Sequence, residues 1–193
     1  MWCAPTGFLL DSRVKFARGH RTPGPADRFG GRPWQAGPVT SVDWNDDGVT
    51  IAGLWTYAWA AKRRPFLHPV RTPAGHVLTV DAPDDHPWHH GLWFAIKYVD
   101  DDNFWEEMAP YGVVRHLAAP SITERTDGSV TLTGDLHWTR PDRETVAIEE
   151  QRRITHVPIG DDAYAIDLDT TLVPTADVRL DRTEFTTWGG YGG

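Results

Sequence analysis

The residues best suited to chemistry lie in one short stretch of the sequence, between Pro65 and Glu107. Prolines recur through it and hold the backbone in extended or turn geometry, and aromatic residues lie among its polar ones. Polar side chains in a rigid loop beside aromatic residues are the usual setting of a binding or catalytic site. We therefore expect the functional site here. The stretch contains five of the nine histidines, which are His68, His76, His86, His89 and His90.

Three closely spaced histidines, His86, His89 and His90, are candidates for catalytic proton transfer. Histidine exchanges its proton near neutral pH, which is what a general acid or base requires. In an extended chain His86 and His90 point to one face and His89 to the other. The alternative is that these imidazoles only hydrogen-bond loop carbonyls and nearby acids, and so rigidify the loop.

The same histidines suggest a divalent metal site as a further alternative. Two imidazoles and one carboxylate would suit such an ion, and the ligands would then be His86, His90 and Glu106. His89 could join them only if Pro87 and Trp88 form a turn. The spacing matches none of the specific zinc signatures, so the sequence predicts no cofactor and leaves the metal as an alternative.

Two adjacent glutamates, Glu106 and Glu107, follow the aromatic pair Phe104 and Trp105. A carboxylate that is partly withdrawn from water beside an indole is suited to general acid or base work. Successive side chains alternate in extended backbone, so we expect only one of the two to face the histidines. We assign Glu106 to catalysis with the three histidines; the competing interpretation is a pair of solvated edge glutamates.

A second set of residues is expected to contact a substrate. The planar guanidinium of Arg71 could bind an anionic or polyhydroxylated ligand, and the indole of Trp105 could stack on the apolar face of a sugar. His68 and Glu107 complete this set. The alternative pairs the arginine with an acid and packs the indole in the core.

The elements that must position these residues are β-strands. From Val130 to Trp138, apolar residues alternate with polar ones, and the pattern repeats from Ala163 to Leu172 and less cleanly from Thr145 to Val157. No apolar stripe of helical period runs for ten residues with a cap. Many strands joined by Gly and Asp turns predict an all-β, antiparallel sandwich or barrel.

The first 38 residues differ from the rest. Residues 1–38 hold six basic residues against two acidic ones and are rich in Gly and Pro, which predicts a disordered leader. Residues 39–193 form the predicted β-domain. The sequence stops at Trp188-Gly-Gly-Tyr-Gly-Gly directly after a strand-like run. We therefore expect the N-terminal part of a longer domain.

Composition limits the partners and the compartment. A chain of 193 residues with a net charge of −8 is expected to form one domain that binds neither nucleic acid nor membrane. Its single cysteine, Cys3, excludes an internal disulfide framework and a multi-cysteine metal site. The sequence has no secretory signal and no apolar run of about 20 residues, the length that crosses a bilayer. These features predict a cytoplasmic protein.

Three motifs, at residues 64–75, 85–95 and 103–106, give the sequence a family resemblance. In this order (R-P-F-L-H-P-V-R-T-P-A-G, D-H-P-W-H-H-G-L-W-F-A and N-F-W-E) it resembles the soluble PmoA-like domain family, often labelled methane oxygenase PmoA. The resemblance spans residues 39–193, and it implies a bacterial β-sandwich similar in style to galactose-mutarotase sheets. Trp88 departs from it, because many relatives carry a histidine there.

The resemblance also implies a chemistry. In sandwiches of the mutarotase style, a histidine acid and a carboxylate base act on a ring-opening sugar. Carried over, His90 or His86 would be the acid and Glu106 or Glu107 the base. We expect a carbohydrate-active isomerase, lyase or hydrolase that binds a small carbohydrate-like ligand, a sugar or oxidised sugar. The alternatives are a metal-dependent oxidoreductase, as the family label suggests, and a non-catalytic sugar-binding sandwich.

Overall fold

The structure is a computed structural model that describes residues 10–16, 40–61, 63–160 and 162–182, the first of these as backbone only. Over these residues the chain is all-β, with thirteen strands and no helix, and so with no helix able to cross a membrane. The strands are β1 (Leu10–Phe16), β2 (Val42–Trp44), β3 (Val49–Ile51), β4 (Trp55–Ala58), β5 (Phe66–Val70), β6 (Tyr98–Val99), β7 (Asp102–Asn103), β8 (Val113–His116), β9 (Ser121–Glu124), β10 (Val130–Thr139), β11 (Val146–Ile159), β12 (Ala163–Pro174) and β13 (Leu180–Asp181).

The largest sheet is antiparallel and has the order β1-β12-β11-β10-β8, with β9 paired to the other half of β10. Its centre consists of the three longest strands. Val130 of β10 lies opposite His156 of β11, and Ile154 of β11 lies opposite Leu168 of β12. These strands correspond to the alternating runs in the sequence, so the prediction of an antiparallel β-fold is confirmed.

A four-stranded antiparallel meander, β2-β3-β4-β5, packs against this sheet and completes the sandwich. Alternation dictates the core between the layers, because one face of each strand is apolar. Trp55 of the meander and Leu132 of β10 are fully buried. Thr131, the neighbour of Leu132 on the opposite face of β10, is only half-buried. This first core comprises Val49, Ile51, Trp55, Tyr57, Leu67, Val70, Val130, Leu132, Ile154 and Ile166.

A small three-stranded sheet, β13-β6-β7, covers the other end of β10 and contributes to a second core. Phe104, directly after β7, packs on Trp138 with ring centroids 5.4 Å apart. Gly112 lies under the Phe104 ring, where a Cβ would come within 2.3 Å of Cε1. This close contact fixes the loop that follows Phe104 and carries Trp105, Glu106 and Glu107.

The leader differs in part from the expectation of disorder. Residues 10–16 form β1, which pairs antiparallel with β12 from Leu10 opposite Leu172 to Phe16 opposite Ile166. The sequence carries a strand signal there, since Leu10, Val14 and Phe16 alternate with charged residues. The rest of the leader and the glycine-rich residues 188–193 lie outside the described residues.

Candidate functional site

Backbone pairing within the loop after β5 brings two chemically active residues together. The Ala82 N–H donates to the His89 carbonyl at 2.8 Å, and the Gly91 N–H donates to the Val80 carbonyl at 2.9 Å. Asp81 and His90 therefore lie opposite each other in an isolated antiparallel bridge. Their side chains meet because their backbones are paired.

Gly91 anchors this loop to the meander. Its φ is +59°, and a Cβ there would lie 2.3 Å from the Leu67 carbonyl oxygen, so the position requires glycine on two grounds. Next to it, Leu92 and Leu67 exchange two backbone hydrogen bonds of 2.8 and 3.0 Å. Strand β5 thus holds His90 in a fixed position.

His90 lies between two carboxylates. Its Nδ1 is 2.6 Å from Asp81 Oδ1, and its Nε2 is 3.2 Å from Glu107 Oε1. The Phe66 ring stacks on the imidazole with centroids 5.1 Å apart. The His90 side chain remains 19% exposed and that of Glu107 9%, so a small ligand can reach the imidazole edge. We call Asp81, His90 and Glu107 the carboxylate–histidine triplet.

Two arginines hold the far side of Glu107. Arg63 donates to Glu107 Oε2 in an ion pair, and Arg64 Nε lies 3.9 Å from Oε1. The turn that presents the glutamates is capped by Asn103, whose Oδ1 accepts from the Trp105 N–H at 2.9 Å. The position of Glu107 beside His90 is therefore fixed from both ends.

Glu106 takes the opposite direction, as alternation predicts. Its Oε1 forms an ion pair with Lys97, which is buried. Its Oε2 is buried and has no hydrogen-bond partner among the described residues. Glu107 and not Glu106 contacts His90, although the sequence predicts Glu106 as the catalytic residue and Glu107 as a substrate contact.

Arg64 is a buried cation in a charged cluster that also includes Arg63, Lys97, Glu106 and Glu107. Its Nη1 donates to the Phe104 carbonyl at 2.7 Å, and its guanidinium carbon lies 4.2 Å from the ring centroid of Trp93. Burial, with the charge of Arg63 as the second cause, lowers the pKa of Arg64 to about 9, so it remains protonated at neutral pH. Within the described chain, its Nε and Nη2 lack hydrogen-bond partners.

Aromatic rings border the cluster. Trp93 and Trp105 have ring centroids 5.2 Å apart and are both half-buried. His89 meets Trp93 edge-on at 6.0 Å. Trp105, expected from the sequence as a substrate contact, therefore lies beside the charged groups. Trp93 is partly accessible with it.

The other predicted residues have different partners. His86 Nδ1 lies 3.1 Å from Asp85 Oδ2, and the ring meets Trp88 at 5.6 Å. His86 and His90 thus pair with separate carboxylates. In the described ranges, no three His, Cys, Asp or Glu side chains form a group that could hold a metal ion.

His68 lies in β5, and Arg71 begins the loop that follows it. His68 Nδ1 is 2.9 Å from the Thr79 hydroxyl, and Arg71 Nη1 donates to the Gly75 carbonyl at 3.4 Å. The Arg71 carbonyl also accepts a hydrogen bond from Tyr164. These contacts hold the loop together locally and give neither residue a contact with the triplet.

Sequence reasoning missed Asp81, Arg63, Arg64 and Lys97. Arg64 opens the first sequence motif, so its position was a usable signal. Asp81 lies between the motifs, and only the backbone bridge to His90 reveals its role. Lys97 is one of three lysines in the sequence, and no motif pointed to it.

The comparisons with known proteins identify a family but no function. The model of DUF6807, described as a family of unknown function, matches residues 42–193, and the chain belongs to this family. The resemblance to PmoA-like domains was wrong, because the match is to DUF6807 and nothing indicates a PmoA-like domain. The three motifs on which it rested are short and lie inside the DUF6807 match. No curated protein and no solved structure matches the chain.

Proposed function

We propose that this DUF6807 protein is an enzyme that performs general acid–base chemistry on a small hydroxylated, carbohydrate-like molecule. The observation that carries the proposal is the triplet itself, with a carboxylate on each nitrogen of one partly exposed imidazole. An imidazole held in this way has a fixed orientation and a fixed direction for proton transfer.

The two carboxylates have different roles in this proposal. Asp81 accepts from Nδ1, which orients the ring and leaves Nε2 as the nitrogen that exchanges protons. Glu107 faces Nε2 and acts as the second acid–base group. Arg63 and Arg64 balance the charge of Glu107, so the carboxylate can be held beside His90 away from bulk water.

The surroundings favour a polyhydroxylated ligand. The indoles of Trp93 and Trp105 offer flat apolar faces, which suit the C–H faces of a sugar ring. Ionised groups of both signs lie next to them, with Glu106 and Glu107 among Arg63, Arg64 and Lys97. Hydroxyl groups can donate to the carboxylates and accept from the cations.

Turnover of a panel of sugars, keto-sugars and aldonates, followed by proton NMR, tests the proposal. The wild type is expected to convert at least one compound, and His90→Gln and Glu107→Gln to lose about 10²- to 10⁴-fold in rate. His137→Gln, on the outer face of β10, is the matched control and should retain full activity. A conversion rate in His90→Gln equal to that of the wild type, with folding unchanged, would overturn the proposal.

The two alternative functions predicted from the sequence would give different results with the same purified protein. Sugar binding without turnover, unaffected by His90→Gln, would indicate a non-catalytic sugar-binding sandwich. Near-stoichiometric iron, manganese or zinc in purified protein, lost in a His86→Ala/His90→Ala double variant, would favour a metal-dependent oxidoreductase.

A further inference from the structure

Unpaired buried polar atoms concentrate next to the triplet. Six buried side-chain nitrogen or oxygen atoms of the described residues have no hydrogen-bond partner, and three of them belong to Arg64 and Glu106. The Arg64 side chain is only 4% exposed. Buried polar groups are nearly always hydrogen-bonded, so this concentration calls for a specific partner.

The hydrogen bonds that the protein makes to Arg64 and Glu106 use other atoms of these two side chains. Arg64 uses Nη1 on the Phe104 carbonyl, and Glu106 uses Oε1 on Lys97. Arg64 Nη2 and Glu106 Oε2 therefore remain as an unpaired donor and an unpaired acceptor, and the carbonyl that Arg64 contacts belongs to Phe104, in the same turn as Glu106. They also interact electrostatically: burial lowers the pKa of Arg64, and the negative charge of Glu106 acts against that decrease.

The chemistry of the two groups selects what can satisfy both. A guanidinium only donates hydrogen bonds and a carboxylate only accepts them, whereas a hydroxyl group does both. A phosphate or carboxylate ligand would be repelled by Glu106, and an ammonium group by Arg64. A neutral hydroxyl is therefore the group whose hydrogen bonds can satisfy both.

We infer that Arg64 and Glu106 form a subsite that binds one hydroxyl group of the ligand, beside the indoles of Trp93 and Trp105. The inference rests on the proposed function and narrows its substrate class to neutral polyols and pyranoses. It also changes the role of Glu106 from a catalytic group to a ligand-binding one. The proton-exchanging groups are then confined to the triplet.

The test is a titration of ¹⁵N-labelled protein with D-glucose, D-galactose, D-mannose, D-xylose and myo-inositol, observed at the indole N–H signals of Trp93 and Trp105. At least one of these compounds is expected to shift both signals in a saturable way. For that compound, monodeoxy analogues should show one hydroxyl whose removal weakens binding at least 10-fold. No saturable shift with any of the five would overturn the inference.

Variants then locate that hydroxyl. In Glu106→Gln and Arg64→Lys, the compound identified by the titration should bind at least 10-fold more weakly than it binds the wild type. The analogue that lacks the recognised hydroxyl should bind these variants about as weakly as it binds the wild type. Glu144→Gln, in an exposed turn, is the matched control and should bind like the wild type. An unchanged preference for the hydroxyl in either folded variant would overturn the inference.

The subsite and the acid–base proposal fail in different ways. His90→Gln is expected to slow turnover by about 10²- to 10⁴-fold and leave this binding intact, because His90 is not part of the subsite. Loss of the hydroxyl preference in Glu106→Gln with no turnover in the wild type would support the subsite and count against the enzyme. Turnover by the wild type, together with an unchanged hydroxyl preference in Glu106→Gln, would support the enzyme and count against the subsite.

Discussion

The molecule contains two polar clusters whose buried charged groups are paired to different extents. In the core, Glu150 accepts from Arg152 Nε at 2.6 Å, from Thr170 at 2.7 Å and from Trp138 Nε1 at 2.7 Å. Both of its oxygens are satisfied, and the residue is 2% exposed. At the site, in contrast, Arg64, which lies 3.9 Å from Glu107 of the triplet, and Glu106, the residue before it, keep unpaired atoms. Full pairing of a buried ion within the protein marks a structural network, whereas a buried ion left incompletely paired near an accessible imidazole marks a place for a ligand.

The histidines show the same contrast. Burial, with the charge of Arg152 as the second cause, lowers the pKa of His116 to about 4, and its Nε2 lies 2.7 Å from the Tyr57 hydroxyl. Burial alone lowers the pKa of His156 to about 4, where Nδ1 accepts from the Trp55 indole at 3.2 Å. Both core histidines are therefore neutral at physiological pH, while His90 has a carboxylate on each side.

Breaking the core network should have the largest effect. Arg152→Met leaves Glu150 buried without its cation, and we expect a loss of about 3–5 kcal/mol in the free energy of unfolding. Burial by itself would raise the pKa of Glu150, and it is Arg152 that reverses this and lowers it. Urea unfolding measures the loss. Glu149→Gln, on the exposed face of the same strand, should cost less than about 0.5 kcal/mol; equal losses would contradict the contrast.

Acid should destabilise the core through its histidines. Their folded pKa of about 4 lies below the unfolded value of 6.5, so the unfolded chain binds protons first as the pH falls. The stabilisation is complete above pH 6.5 and is lost progressively towards pH 4, on the order of 2–3 kcal/mol per histidine. His116→Gln should flatten this pH dependence, measured by urea unfolding at several pH values. His137→Gln should not, and a wild-type stability that is constant from pH 6.5 to 4 would refute the explanation.

A smaller loss is expected where the site loop joins the meander. Gly91→Ala places a Cβ against the Leu67 carbonyl at positive φ and should cost about 1–3 kcal/mol. It should also separate Asp81 from His90 and reduce sugar binding or turnover. Gly75 has a φ of +89° but open space around it, so Gly75→Ala carries only the backbone strain. Equal losses of stability and function in both variants, by thermal unfolding and NMR, would show that close packing at Gly91 is unimportant.

The smallest effect concerns an exposed ion pair on the outer face of the large sheet. Arg153 Nη2 lies 2.6 Å from Asp169 Oδ2, but the arginine side chain is 54% exposed. Solvent screening limits such pairs to about 0.2–1 kcal/mol, so Asp169→Asn should lower stability by no more than that. A loss in urea unfolding as large as that of Arg152→Met would mean that burial does not separate the two kinds of ion pair.

Sequence periodicity predicts the strands well because alternation reflects burial directly. Val130, Leu132 and Leu136 face the core as their spacing indicates. The site is less predictable. Alternation predicts that only one of Glu106 and Glu107 faces His90. Which of them does so goes with the ion pairs to Lys97 and Arg63, which the local pattern does not reveal.

Asp81 and β1 were missed for different reasons. Asp81 lies between the motifs, and its pairing with His90 depends on a loop geometry that Gly91 and the backbone bonds to Leu67 create. For β1, the alternation from Leu10 to Phe16 was present but lay within a Gly- and Pro-rich segment. Local patterns report burial, whereas a site depends on contacts between segments far apart in the chain.

The central claim is that Asp81 and Glu107 hold His90 from its two sides. The most direct test is a long-range ¹H–¹⁵N NMR spectrum of the histidine rings, with Asp81→Asn and Asp85→Asn as a matched pair. We predict a slowly exchanging Nδ1 proton on His90 that is lost or strongly shifted in Asp81→Asn and unchanged in Asp85→Asn. A His90 ring without a proton on Nδ1, or one indifferent to the loss of Asp81, would contradict the account.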